Sequence, residues 1–301
     1  MLDALVAGLR AKDRRALARL ISLAARGEHL DDIRTQLGHS LSQARVVAFT
    51  GGGGVGKSTL LGKLIEKLRE HGKSVAVLAC DPESPLTGGA LLGDRFRMPS
   101  RPEDAGVFIR SLAAQPGRQA VAEHLDLIVK LCDAFGFNFI LIETVGAGQG
   151  DTAVRSFADA VVLLLQPETG DELQWEKAGV LEVADAVVIH KADLPGTERA
   201  VAQVKAAMDM TTGRQVPVLP VSSRTGAGLD ELVALVESVS KRSRTDADAK
   251  KELLRLAQQE LATRFAKSDV GAIVKDWKEG KEALRTILDQ LFRKLNEIDK
   301  H

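Results

Sequence analysis

An α/β fold of the phosphate-loop kind, with a mostly parallel sheet, is predicted by three features of this 301-residue sequence. The first is Gly51-Gly52-Gly53-Gly54-Val55-Gly56-Lys57-Ser58, which fits G-x-x-x-x-G-K-[ST] and lies between an apolar run at 46–49 and a helical pattern starting at Ser58. The second is a series of short apolar runs at 75–79, 139–142, 161–165, 186–189 and 216–221, separated by helical or polar segments, as in a sheet covered on both faces. The third is size: the chain is 45% hydrophobic and longer than one ordinary domain, so helical segments should flank the core. The expected organisation is an N-terminal helical extension over 1–40, a phosphate-loop domain over 41–240 and a C-terminal helical arm over 241–301.

Taken in order, residues 13–25 place Leu17, Leu20, Ile21 and Ala24 at helical spacing, and a second helical segment over 30–37 stops at Gly38. Residues 58–70 read as a helix with Leu61, Leu64, Ile65 and Leu68 inward and Gly72 as its stop. Pro217 and Pro220 place the last strand at or near a sheet edge, since proline cannot donate to a ladder. After a charged connector, KRSRTDADAKK, helical spacing resumes with Leu254, Ala257, Leu261 and Phe265, and again with Leu284, Ile287, Leu291, Leu295 and Ile298; Gly271 and Gly280 divide the tail. This apolar stripe must be covered by the chain's own domain or by a second subunit. The latter makes the tail a dimerisation arm.

Composition removes several classes. Lys plus Arg and Asp plus Glu number 41 each, aromatics are 4% and Tyr is absent, so neither the charge nor the stacking surfaces of a general nucleic-acid binder are present. The amphipathic start lacks a signal-peptide core and no apolar stretch approaches the roughly 20 residues that span a bilayer. No membrane partner and a cytoplasmic location are therefore expected. Cys80 and Cys132 lack CxxC or histidine spacing and read as reduced core thiols.

The chemistry centres on the glycine-rich stretch, with Thr59 following it. Gly51, Gly52, Gly53, Gly54, Val55 and Gly56 would turn backbone N–H groups around a β-phosphate, Lys57 would supply a mobile cation, and Ser58 a hydroxyl for Mg²⁺. Carboxylates just past a strand beside the phosphate-loop strand can reach that metal; Asp81 and Asp94 are the candidates, although such residues also cap turns. The run ending in Glu143-Thr144-Val145-Gly146 supplies a third. Glu143 would hold the metal or its water, Gly146 would present an amide to the γ-phosphate, and Gln149 can orient the attacking water.

His190-Lys191-Ala192-Asp193 comes close to the N-K-x-D signature of guanine-specific NTPases. Lys191 can lie along the ring with its alkyl stem, and Asp193 can accept from guanine's N1–H and exocyclic amine, donors that adenine does not present in that arrangement. His190 stands where Asn is expected; a neutral imidazole can replace one donor or acceptor but not the same geometry. Ser222 and Ser223, after the last strand, can offer a backbone N–H to guanine O6.

Together, GGGGVGKST, DPESPLTGGALLGDRFRM, VFIR, ETVGAGQGD, GDELQWEKAGVLEVADAVVIHKAD and the helical tail resemble the MeaB/ArgK/MMAA family of GTPases, the G-protein chaperones of adenosylcobalamin-dependent acyl-CoA mutases. The resemblance covers roughly 13–300. It implies GTP and GDP as ligands with Mg²⁺, a homodimer held partly by the C-terminal arm, slow hydrolysis accelerated by a partner mutase, and use of the cycle to gate cofactor loading and protect the mutase. The chain departs from the family at Ser111–Gln119, where a Gly-rich GxLGG segment is usual, and at His190. A small-molecule kinase or a nickel-insertion-type GTPase would use the same phosphate loop. Arg110, Arg118 and Arg155 are candidates for neutralising transition-state charge, with surface ion pairing the alternative for each.

Overall fold

A computed structural model describes residues 1–38, 43–82, 104–114, 121–145, 154–156, 158–167, 178–212 and 215–242, then short stretches from 250 to 266, 268–280 and 283–296. In chain order the elements are α1 (Leu2–Arg10), α2 (Arg14–Ala25), α3 (Leu30–Leu37), β1 (Arg45–Gly51), α4 (Lys57–Glu70), β2 (Val75–Pro82), β3 (Val107–Ala114), α5 (Leu125–Phe135) and β4 (Phe139–Glu143). They continue with β5 (Ala160–Leu165), α6 (Ala178–Val183), β6 (Ala186–His190), α7 (Thr197–Thr212), β7 (Val218–Val221), α8 (Leu229–Ser238), α9 (Gly271–Lys278) and α10 (Leu284–Asn296). The chain divides into two compact units, 1–242 and 243–301.

In the first unit, the described strands form one seven-stranded sheet in the order β3-β2-β4-β1-β5-β6-β7. Every pairing is parallel, so both faces need helical cover. The alternation of side chains along each strand sorts them. Val46, Ala48, Leu78, Ile140 and Ile142 share a core with α5 and with Leu9, Leu17, Leu20, Ile21 and Ile33 of the N-terminal helices. The opposite set, Val47, Phe49, Val77 and Leu141, packs on Leu60, Leu61, Leu64 and Leu68 of α4 and on Leu232, Val233 and Val236 of α8. Leu163, Leu165, Val187 and Ile189 form a third cluster with Val204 and Met208 of α7. Burying each such Leu, Ile or Phe contributes about 1.5–3 kcal/mol before chain entropy is charged.

Two expectations change. The segment VFIR is the start of an edge strand, β3, which the apolar-run criterion missed because Arg110 and Ser111 interrupt the run at half-buried positions. β2 does not neighbour the phosphate-loop strand: β4 lies between them. The expectation for Pro220 holds, since β7 closes the other edge.

In the second unit α9 and α10 touch each other. Ile287 and Leu295 are buried, whereas Leu284, Leu288 and Phe292 on α10 and Trp277 on α9 are exposed. Among the described residues no helix is long and apolar enough to cross a membrane.

Candidate functional site

β1 delivers the chain into the phosphate loop at Gly51, and α4 leaves it at Lys57, so the loop sits at the carboxyl edge of the sheet with a helix N-terminus behind it. Two glycines are fixed by geometry. A Cβ on Gly51 would come within 2.3 Å of the Leu164 carbonyl oxygen, and one on Gly56, whose φ is +95°, would come within 2.6 Å of the His190 ring. The Lys57 ammonium donates to the carbonyls of Gly51 at 2.9 Å and Gly52 at 3.2 Å, spanning its own loop.

Beside the loop, Ser58 donates its hydroxyl to Glu143 Oε1 at 2.7 Å, and both residues are buried. The parallel register brings them together: Phe49 of β1 stands opposite Glu143 at the tip of β4, and the Thr144 amide donates to the Phe49 carbonyl at 3.1 Å. Asp81 lies within β2 rather than past its end, and is 2% exposed. Ala79 pairs with Glu143, so by the two-residue period Asp81 projects on the same sheet face as Glu143, the face that α4 covers. Ser58, Glu143 and, on the same face of the adjacent strand, Asp81 bring only oxygen donors to this side of the sheet, a chemistry that suits Mg²⁺ rather than a softer metal. Asp94, Gly146 and Gln149 lie outside the described residues.

The segment expected to read the base begins with His190, the last residue of β6. His190, 3% exposed, donates from Nδ1 to the Val55 carbonyl at 2.7 Å, since a carbonyl can only accept. Its Nε2 then accepts from the Ser223 hydroxyl at 2.8 Å. Burial pushes the imidazole below its ordinary pKa, opposed by the Val55 bond, so the neutral form is favoured. His190 therefore ties the base loop to the phosphate loop, the task that Asn would have in N-K-x-D. Lys191, in the left-handed region at φ 58°, donates to the Gly54 carbonyl at 3.1 Å and to Gln166 Oε1 at 2.9 Å.

Asp193 is held from two sides. The Ser222 hydroxyl donates to Oδ1 at 2.5 Å and Arg224 pairs with Oδ2 at 2.7 Å; the Ser222 bond, then Arg224, keep the carboxyl below its usual range. The Ser222 amide donates to the Ala227 carbonyl at 2.9 Å, which corrects the expectation that this amide is open to guanine O6. Gly56, Thr59, His190, Lys191, Asp193, Leu194, Ser223 and Arg224 line a cleft of about 400 Å³. Arg224 and Leu194 escaped the sequence reading; the only signal for Arg224 was its place directly after Ser223. Arg110 bonds the Ser22 hydroxyl at 2.8 Å and Arg155 pairs with Asp185, while Arg118 is outside the described residues.

A parallel sheet with a glycine cradle, a lysine, a serine and a strand-end carboxylate at one rim defines a phosphate-loop NTPase. The family model described as "Methylmalonyl Co-A mutase-associated GTPase MeaB" matches residues 17–278, and the chain belongs to that family. It is 40% identical over 247 residues to a protein of Mycobacterium bovis named "Probable GTPase", covering 78% of this chain and 74% of the relative. Over 205 residues it is 38% identical to the "Fused isobutyryl-CoA mutase" of Cupriavidus metallidurans, covering 66% of this chain and 18% of that protein. The crystal structure of a "LAO/AO transport system kinase" shares the fold, with TM-score 0.62 and 24% identity over 97% of this chain and 96% of the other.

Proposed function

We propose that this chain is a slow, Mg²⁺-dependent GTPase whose cycle gates cofactor loading and protection of an adenosylcobalamin-dependent acyl-CoA mutase. One observation carries the nucleotide chemistry: the Ser58–Glu143 contact and the Asp193 carboxylate flank a single phosphate loop that His190 joins to the base side. Support for the mutase comes from the family description and from a relative in which similar sequence is part of an isobutyryl-CoA mutase.

In this reading Lys57 exchanges the Gly51 and Gly52 carbonyls for β- and γ-phosphate oxygens, and Ser58, Asp81, Asp94 and Glu143 hold the metal. Bound Mg²⁺ neutralises charge developing on the transferred phosphoryl group. Asp193 accepts from guanine, Lys191 lies along the ring, and Gln149 orients water. Loss of the terminal phosphate removes the partner expected for the Gly146 amide and changes the surface shown to the mutase. A homodimer through 241–301 is supported by the apolar positions that α9 and α10 leave exposed. The chain acts in the cytoplasm.

The test is turnover of γ-labelled GTP and ATP by the purified chain with Mg²⁺, alone and with candidate mutases. Label in inorganic phosphate from GTP, at a rate raised by one mutase, is expected. Label on an organic acceptor, or equal GTP and ATP turnover indifferent to every mutase, would overturn the proposal.

A further inference from the structure

From the contact between Arg224 and Asp193 we infer that Arg224 is an internal competitor for the base-reading carboxylate and sets the rate at which guanine nucleotides enter. The inference rests on the guanine-reading role proposed above for Asp193. The guanidinium nitrogen Nη2 lies 2.7 Å from Asp193 Oδ2, inside the cleft bounded by Lys191, Leu194 and Ser223. A guanidinium presents a planar edge of N–H donors, and guanine's N1–H with its exocyclic amine presents a similar edge. Both therefore address the same acceptor. The two oxygens of Asp193 differ in their partners. Oδ1 is tied to the hydroxyl of Ser222, which is fully buried, so that bond belongs to the scaffold. Oδ2 is tied to an arginine whose side chain is 75% exposed, against 12% for Asp193, so Arg224 is the partner that can swing out.

A base can claim Oδ2 only when Arg224 has left it. The fraction of molecules with the arginine out then scales the association rate. An exposed ion pair is a weak one, and it corresponds to a reduction in entry of about two- to fivefold. The bound base, once seated, holds Oδ2 itself, so the dissociation rate is untouched. Guanine compensates for the lost pair with two charge-assisted bonds, whereas the pair simply reforms in an empty cleft. Arg224 thus keeps Asp193 Oδ2 paired and aimed between nucleotides, at the expense of entry rate.

The experiment is stopped-flow binding of N-methylanthraniloyl-GDP to the full chain with Mg²⁺, comparing wild type, Arg224→Ala and Arg224→Lys, with thermal melts to confirm that each is folded. Arg224→Ala should raise the association rate constant about two- to fivefold and leave dissociation unchanged, with Arg224→Lys between the two because it keeps the charge but not the fork. Equal association constants in all three forms would sink the competitor role while leaving guanine binding intact. A faster dissociation in Arg224→Ala would show instead that Arg224 holds the bound base. Failure of all three to bind any guanine nucleotide would sink the proposed function itself, and this inference with it.

Discussion

Ser58 and Glu143 meet at 2.7 Å although 85 residues separate them in the chain. The contact follows from the register of β1 against β4 and from the start of α4, so hydroxyl and carboxylate are aimed by secondary structure rather than by a loop. Changing either residue should weaken divalent-ion binding while the fold survives. For Glu143→Gln and Ser58→Ala, titration of Mg²⁺ against fluorescent GDP binding should show a metal requirement raised about 10- to 100-fold. An unchanged Mg²⁺ midpoint would remove these residues from the metal site.

His190 joins two loops through a buried donor and a buried acceptor. His190→Ala leaves the Val55 carbonyl and the Ser223 hydroxyl without that partner, and the expected loss is about 1–3 kcal/mol. His190→Asn restores a side chain with both a donor and an acceptor, so it should lose less. Urea unfolding of the three forms measures the difference, and equal midpoints would contradict the coupling.

The same histidine predicts a pH effect with a definite sign. Its pKa in the fold lies below the unfolded value of 6.5, so between the two the unfolded chain binds more protons and stability rises with pH. The contribution is present above pH 6.5 and is lost as pH falls through the native value. Lys191 pushes the imidazole down and Asp193 pushes it up, so both charges belong to this window. Melting temperatures of wild type and His190→Asn should converge at acid pH; a constant gap from pH 8 to 5 would be the contrary result.

Gly56→Ala combines a left-handed backbone with a Cβ 2.6 Å from the His190 ring, whereas nothing lies within 4 Å of a Cβ on Gly53. The first should cost about 1–3 kcal/mol and suppress nucleotide binding, because the ring cannot withdraw without releasing Val55. Gly53→Ala serves as the matched control in the same loop and should stay close to wild type in a thermal melt. Equal melts for the two variants would show that the ring gives way.

Much of this site was readable in one dimension because its chemistry sits at strand ends. The phosphate loop, Glu143 and Asp193 each follow an apolar run, and that spacing survives into the fold. The order of the strands was not readable: nothing in 75–82 tells that β4, more than fifty residues later, inserts between it and β1. For the same reason Asp81 looked like a loop residue and is instead part of the sheet. β3 escaped because Arg110 and Ser111, half-buried on opposite faces of an edge strand, interrupt its apolar run. His190 was visible as a departure from N-K-x-D, but its two bonds depend on Val55 and Ser223, which only tertiary structure brings within reach. Arg224 carries no periodic signal at all, being an exposed side chain in a turn.

The terminal strand β7 carries Pro220 at the place where Ile189 of β6 stands beside it. A proline there withholds one amide from any foreign backbone that tries to extend the ladder, and so interrupts the template for cross-chain stacking. Orderly assembly of this molecule into larger particles must then use side-chain surfaces, and the rim of its sheet is guarded against fibre growth on that flank.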